Sequence, residues 1–229
     1  MKTIKYLLAG AFLIGMAAQV KAQDVKSQVE AISKVVVANK ANPKAAEDQV
    51  KAFIKENKKN PEAMAGLGRA YLDIKDTANA KKYAELAIKV GKNNGAGYIL
   101  LGDIEVAKND GGAAASWYKQ ATVLDPQNPQ GYIKYANIYR VSSPSTAAEM
   151  LEQLRAVQPD YPVDAEAAHF FYGARKYEQA LNYYDKVTDR SKLSREQLRE
   201  YALAGYFAGN NDKSIDVSSY GNKVFPRDA

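Results

Sequence analysis

Apolar positions along the chain recur with the spacing of amphipathic helices, in stretches of about 13 residues. Polar or glycine-containing segments separate these stretches, such as Asn109-Asp110-Gly111 and Ala208-Gly209-Asn210-Asn211. Two amphipathic helices joined by a short turn form an antiparallel hairpin. The pattern therefore predicts an all-α protein made of successive helical hairpins.

These hairpins repeat with a fixed period. Gly68 and Gly102 are 34 residues apart, and a leucine precedes each of them. Ala46, Ala80 and Ala114 follow one another at the same interval. A period of this size is the signature of a repeat protein, in which each unit buries its apolar face against its neighbours. We expect the two glycines to let their helices approach Ala80 and Ala114 closely.

The repeated pattern resembles the tetratricopeptide repeat. The unit at 60–92 carries that family's Leu-Gly pair, its tyrosine and its small residues where two helices cross. These residues are Leu67, Gly68, Tyr71, Ala80 and Ala87. The next unit repeats the pattern, the third is one residue short, and the fifth is degenerate, with Gly205 and Ser214 in apolar columns. The resemblance implies a right-handed α-solenoid of stacked antiparallel helical hairpins.

The resemblance covers the chain from residue 23 onward. We expect a divergent leading hairpin at 23–59 and a repeat array at 60–229. The repeat units are expected near 60–93, 94–128, 129–160, 161–193 and 194–229.

Local signals predict where several helices begin and where one is weak. Ser27 with Glu30, Thr146 with Glu149, and Ser194 with Gln197 have the spacing of capping boxes. The segment 218–221, Ser-Ser-Tyr-Gly, is a poor helix former. Because no polar capping helix follows it, we expect the C-terminal end to be loosely held, to be covered by a partner or a second copy, or to belong to a longer array.

The first 22 residues have the layout of a secretory signal peptide. Two lysines precede an apolar run from Tyr6 to Val20, and small or short residues lead to a cleavage site after Ala22. This run is shorter than the roughly 20 residues needed to cross a bilayer. We therefore expect export to the periplasm or the extracellular space, with peripheral association with the outer membrane as one option, and no membrane-spanning segment in the mature chain.

Composition narrows the function classes. The 229-residue chain has a formal net charge of +6, no cysteine and one histidine, His169. Three lysines and no acidic residue lie at 1–22, so the remainder has 29 basic and 26 acidic residues, a net charge of +3. No clustered basic face remains for nucleic acid. Disulfides, thiolate chemistry and a multi-histidine zinc site are excluded within one chain, and no metal or cofactor is expected.

Candidate catalytic motifs are weak. Ser116-Trp117-Tyr118-Lys119 has the serine–lysine spacing of penicillin-recognising enzymes, but the companion triplets are missing. The pairs Asp73/Asp76 and Asp185/Asp189 lie at helical spacing on polar faces, which is typical of solvated charges. An enzyme with a dispersed carboxylate site is therefore only a second alternative.

The family resemblance also implies a binding surface. In tetratricopeptide proteins, the first helices of successive units line a concave groove, which implies a set of partner-contacting residues here. These are Arg69, Asp103, Asn137, Arg140, His169, Tyr172, Arg199 and Tyr206. Arginine and tyrosine are frequent hot-spot residues at interfaces. For His169, an ordinary half-buried surface residue and a pH-sensitive ligand contact are both open.

We therefore predict a non-enzymatic protein–protein interaction scaffold of the cell envelope. Its groove would bind a peptide segment or a helix of another protein. The first alternative is a structural subunit of an envelope complex, which assembles through its convex face or through an uncapped C-terminal repeat, with self-association included.

Overall fold

A computed structural model describes residues 24–226, and this range contains helices and turns but no β-strand. The helices are α1 (24–38), α2 (Glu47–Glu56), α3 (Pro61–Asp73), α4 (Thr77–Val90), α5 (Ala96–Ala107), α6 (Gly111–Leu124), α7 (Pro129–Tyr139), α8 (Pro144–Val157), α9 (Val163–Gly173), α10 (Tyr177–Tyr184), α11 (Arg195–Phe207) and α12 (Asn211–Val224). Short 3₁₀ turns at Pro43–Ala46 and Arg190–Lys192 precede α2 and α11. The predicted all-α class is confirmed. The export signal predicted at 1–22 lies outside the described residues.

Consecutive helices pack as hairpins: α3 with α4, α5 with α6, α7 with α8, α9 with α10, and α11 with α12. Within each compact unit, the first helix of a later hairpin also packs on the hairpin before it. Helix α5 contacts both α3 and α4, and α11 contacts both α9 and α10. This stacking of hairpins is that of a tetratricopeptide-like α-solenoid, as the sequence period predicts.

The chain divides into two compact units, one ending at Leu124 and the other beginning at Asp125. The core of the first unit includes the fully buried Leu67 and Leu100, together with Phe53 from the divergent leading segment. The core of the second unit includes Leu154 and Tyr184, both with no exposed surface. Each unit therefore buries its own apolar cluster.

Four hairpins close with the same turn, in which one residue adopts a left-handed conformation. This residue is Lys75, Asn109, Arg175 or Gly209, with φ between 58° and 79°. Its N–H donates to the carbonyl three residues earlier, and the next N–H donates to the carbonyl five residues earlier. Such hydrogen bonds satisfy the last carbonyls of a helix, and glycine is the residue best suited to the left-handed position. Three of the four turns therefore form without the preferred residue.

The residue after each of these turns is the N-cap of the second helix. Asp76, Asp110 and Asn210 each accept a hydrogen bond from the backbone N–H three residues later, at 2.9–3.1 Å. Lys176 occupies the equivalent position before α10 and makes no side-chain cap. An ammonium group has no acceptor, so it cannot replace a carboxylate or an amide there. Helix α10 is also only eight residues long.

The two repeated glycines make room for different neighbours. A Cβ atom at Gly68 would lie 3.1 Å from the carbonyl oxygen of Ala80, which confirms the predicted close crossing of α3 and α4. At Gly102, a Cβ atom would overlap the ring of Tyr118. The nearest neighbour of Gly102 is therefore a buried tyrosine, and the expected approach to Ala114 stays a prediction.

The structure confirms one of the three predicted helix starts. Ser194 and Gln197 form a capping box at the beginning of α11. The other two are wrong, because Thr146 lies inside a helix that begins at Pro144 and Ser27 lies inside α1. In α8, the proline at the first helical position already has the φ angle that a helix requires, which moves the start upstream.

The segment 218–221 is helical, contrary to its low propensity, and belongs to α12. Val217 on this helix has no exposed surface, and a Cβ atom at Gly221 would lie 3.8 Å from Leu198 of α11. Asn210 also caps the first turn. Tertiary packing and a cap therefore override local propensity, as is common for helices in proteins.

Candidate functional site

The predicted groove residues all lie on the first helices of hairpins or directly after them. In the first unit, Arg69 lies on α3 and Asp103 on α5. In the second unit, α7, α9 and α11 carry the other six. Four of these are exposed, namely Asn137, Arg140, Arg199 and Tyr206, and two are half-buried, namely His169 and Tyr172. The second unit therefore presents most of the predicted contact residues.

A buried carboxylate organises this surface of the second unit. Glu200 on α11 is only 4% exposed. Its two carboxylate oxygens both lie 3.0 Å from Nδ1 of His169 on α9. The hydroxyl of Tyr184 on α10 donates to Oε2 of Glu200 at 2.7 Å. One carboxylate therefore joins three helices. It contacts Nδ1 of His169, so Nε2 of that ring is not part of this contact.

The electrostatics of this cluster favour a charged His169. The hydrogen bond to Glu200 raises the pKa of His169 above its ordinary value, against the opposing effect of partial burial. The charge of Glu166 also raises this pKa, whereas that of Arg140 lowers it. Burial and the neighbouring Glu200 raise the pKa of Tyr184, which keeps its hydroxyl protonated as a donor.

The first unit contains a comparable cluster built from other residue types. Asp103 on α5 is 9% exposed and forms an ion pair with Arg69 on α3. The hydroxyl of Tyr118 on α6 donates to Oδ1 of Asp103 at 2.7 Å. Asp103 is thus held by its own chain, and Arg69 remains partly exposed beside it.

Four aromatic rings form a cluster at one edge of the second unit. Tyr172 meets Tyr177 edge to face at 5.7 Å between ring centroids, and Tyr177 stacks on Phe207 at 4.6 Å. Tyr206 meets Phe207 edge to face at 5.3 Å. Tyr206 and Phe207 are each more than half exposed. Rings that are held in place yet exposed offer contact area with little loss of side-chain entropy on binding.

Sequence reasoning missed Glu200, Tyr184, Tyr177 and Phe207. The positions equivalent to Glu200 in other repeats hold residues of different types, and Leu100 is one of them. Because no residue type is typical of this position, the repeat spacing does not predict that the carboxylate of Glu200 is buried. Two tyrosines were available as a signal, because Tyr118 and Tyr184 both lie on the second helix of a hairpin and both donate to a carboxylate.

Neither a cluster of metal ligands nor a membrane-spanning helix is present among the described residues. Between residues 24 and 226, no group of three or more His, Asp or Glu side chains is placed to hold a metal ion. Over the same range, no helix combines the length and the apolar character required to cross a bilayer.

The class of protein follows from these findings. The model of the family described as tetratricopeptide repeat matches residues 61–94, which span α3 and α4. No curated protein sequence matches the chain. Residues 61–94 therefore carry a tetratricopeptide repeat, and the described residues fold as a tetratricopeptide-like α-solenoid.

Solved structures support the fold over most of the chain. The type IV pilus biogenesis factor PilW is 16% identical with a TM-score of 0.61, and the match covers 87% of this chain and 94% of PilW. Pseudomonas aeruginosa PilF is 15% identical with a TM-score of 0.56, covering 90% and 95%. YrrB, described as a tetratricopeptide protein with an unusual peptide-binding site, is 14% identical with a TM-score of 0.53, covering 78% and 92%.

Proposed function

We propose that this protein is an exported, non-enzymatic scaffold that captures an extended peptide segment of a partner protein on its second unit. The binding surface would be formed by α7, α9 and α11. The observation that carries the proposal is the cluster of exposed arginine and tyrosine side chains around the fixed pair of His169 and Glu200.

The side chains of this surface lie close enough to influence one another. Arg140 acts on the pKa of His169, and Arg199 acts on the pKa of Tyr172. Their guanidinium groups are therefore near the histidine and the tyrosine ring, respectively. Such a surface offers hydrogen-bond donors to backbone carbonyls and to carboxylates, next to aromatic faces for apolar side chains.

The arrangement also limits what binding costs. The Tyr184–Glu200 hydrogen bond and the buried faces of the hairpins hold the three first helices in place before a partner arrives. A preformed surface loses little conformational entropy on association, so more of the contact energy appears as affinity. YrrB, which shares the fold, is described by a peptide-binding site, so a scaffold of this kind can take a peptide.

A peptide-display selection tests the proposal. A random peptide library is selected on the protein, and the peptides recovered are measured for affinity against a triple variant, Arg140→Ala, Tyr172→Ala and Tyr206→Ala. We expect a loss of at least about tenfold in affinity, because these positions combine charge and aromatic area at the surface. Far-ultraviolet circular dichroism should show unchanged helix content.

A matched triple variant on the second helices of hairpins serves as the control. Glu149→Ala, Gln153→Ala and Glu178→Ala change three exposed residues of α8 and α10. Peptide affinity should stay within about twofold of the unchanged protein. Equal losses in the two triple variants, or an unaffected first triple, would remove the assignment of the binding surface.

Export is tested separately from binding. The basis is the signal-like layout of residues 1–22, with its lysines, apolar run and short residues before position 23. Expression of the full sequence in a bacterium should give a periplasmic or secreted product whose N-terminus is Gln23. Deletion of residues 2–22 should retain the protein in the cytoplasm, and an uncleaved product in the envelope would refute this part of the proposal.

A further inference from the structure

An open groove of about 350 Å³ lies between α11 and α12, and its lining residues all come from these two helices and the segment that follows α12. Its floor is mainly apolar and is formed by Leu198, Ala202, Leu203 and Val217. Phe225 borders one end of the groove, where its ring lies 5.6 Å from the guanidinium of Arg195. The groove is distinct from the peptide surface proposed above, although Arg199 borders both.

In two other hairpins, the space equivalent to this groove is filled by a helix of the chain itself. The space between α3 and α4 is occupied by α5, and the space between α9 and α10 is occupied by α11. In the first case, a Cβ atom at Gly97 would lie 2.8 Å from the carbonyl oxygen of Ala84, while Leu100 reaches Gly68. The occupant is therefore a helix that places a small residue against one wall and a leucine against the other.

The charged side chains that line the α11–α12 groove indicate which kind of helix it would bind. Two arginines, Arg195 and Arg199, line the groove, and no acidic residue does. The Arg199 side chain is 69% exposed, and it forms an ion pair at 3.4 Å with the similarly exposed Glu196 on the same helix, so this pair is screened by water. A helix with acidic residues along the edge that faces α11 is therefore favoured electrostatically. Helix α5 itself has this character, because it carries Asp103 and Glu105 and no basic residue.

A second copy of the chain is a poorer occupant. A symmetric dimer through this groove would set Arg195 and Arg199 against their own copies, since a two-fold interface pairs identical patches. Head-to-tail docking would bring α1 on to the apolar floor. The exposed face of α1 carries Lys26, Glu30 and Lys34, while its apolar side is buried in the first unit.

We propose that the α11–α12 groove is a second interaction site, which receives an amphipathic helix of a partner protein. That helix has glycine, alanine and leucine on its inner face and acidic residues along the edge beside Arg195 and Arg199. The partner helix extends the solenoid as a further first helix would. The protein could thus hold one partner segment in extended form on its second unit and another as a helix at this groove.

The probe is a synthetic peptide with the sequence of residues 94–110, which contains α5 and its flanks. Binding of the fluorescently labelled peptide to the full-length chain is followed by anisotropy. Ser218 is exposed and lines the groove, so Ser218→Trp fills it from the rim. Ser219→Trp is the matched control, because Ser219 is equally exposed and does not line the groove.

We expect Ser218→Trp to weaken peptide binding at least about tenfold and Ser219→Trp to change it less than about twofold. Arg199→Glu should also weaken binding, and added salt should weaken binding to the unchanged protein. Arg140→Ala with Tyr206→Ala should leave this affinity unchanged, which separates the groove from the peptide surface of the proposed function.

Two results would overturn the proposal. One is equal binding by the Ser218 and Ser219 variants, which would place the peptide elsewhere. The other is a dimer of the unchanged protein in light scattering that Ser218→Trp converts to a monomer, which would make a second copy the occupant.

Discussion

Replacing Tyr184 with phenylalanine tests whether the carboxylate of Glu200 joins α11 to its neighbours. The Tyr184 side chain has no exposed surface, and its hydroxyl donates to Oε2 of Glu200 at 2.7 Å. Phenylalanine keeps the ring and its stacking on Tyr201, whose centroid lies 5.0 Å away. The substitution therefore removes one hydrogen bond from a buried carboxylate and little else.

The size of the effect follows from the charge and burial of the acceptor. Hydrogen bonds to charged groups contribute about 1.5–3 kcal/mol, and a buried acceptor that loses a donor is not compensated by water. Glu200 is 4% exposed, so water cannot replace the lost hydroxyl. We therefore expect Tyr184→Phe to lower the free energy of unfolding of the second unit by about 1.5–3 kcal/mol.

Urea unfolding followed by circular dichroism, together with hydrogen exchange of the α11 amides, measures this loss. Tyr132→Phe is the control, because Tyr132 is 6% exposed and burial, rather than a hydrogen bond to a charged group, raises the pKa of its hydroxyl. Its effect should stay below about 0.5 kcal/mol. If the two variants unfold within about 0.5 kcal/mol of each other, the Glu200 hydrogen bond does not stabilise the second unit.

Three further predictions concern the turns, the repeated glycines and the histidine. Lys176→Asp should supply the missing N-cap of α10 and raise the free energy of unfolding by about 1 kcal/mol relative to Lys176→Ala in urea titrations. Gly102→Ala should destabilise by about 1–3 kcal/mol through overlap with a buried ring, whereas Gly112→Ala, with space around it, should stabilise by about 0.5–1 kcal/mol in the same assay. In NMR titrations, His169 should be protonated to higher pH than its ordinary value of 6.5, and Glu200→Gln should remove this shift. Since folding raises this pKa, the contribution of His169 to stability is complete below about pH 6.5 and is lost as the pH rises through the folded-state pKa, so the pH dependence of urea unfolding should flatten in His169→Gln.

The sequence predicted the fold because repetition supplies the same evidence several times. The Leu-Gly pair at Leu67 and Gly68 occurs again one period later. Each further match has to agree with the same period, so a chance match would be inconsistent with the rest. Individual boundaries were less predictable, because a single local signal decides each of them. Thr146 has the spacing of a capping box, yet Pro144 begins the helix. Gly102 is a similar case, since a small residue indicates close packing but not that Tyr118 is its nearest neighbour.

The candidate site was predictable in position but not in its internal contacts. The repeat spacing predicted that His169 and Tyr172 lie on the first helix of a hairpin, and the structure has them on α9. The repeat spacing could not predict that His169 contacts Glu200. The two residues are 31 positions apart, which is not one full repeat period, so they do not occupy equivalent positions. Contacts between different columns depend on how far one hairpin is rotated on the next, and the sequence does not encode that rotation in its spacing.

The internal contacts change which residues are expected to discriminate between partners. Asp103 is held by Arg69 and Tyr118, and the Nδ1 edge of His169 is held by Glu200. A side chain already engaged by its own chain must break that contact before it can bind a partner through the same atoms, which lowers its net contribution. The exposed Arg140 makes none of the hydrogen bonds or ion pairs described above, and Tyr206, which meets the ring of Phe207 edge to face, is still 59% exposed. We therefore attribute recognition on the second unit chiefly to the exposed arginine and aromatic side chains, with the buried carboxylate acting to position the helices that carry them.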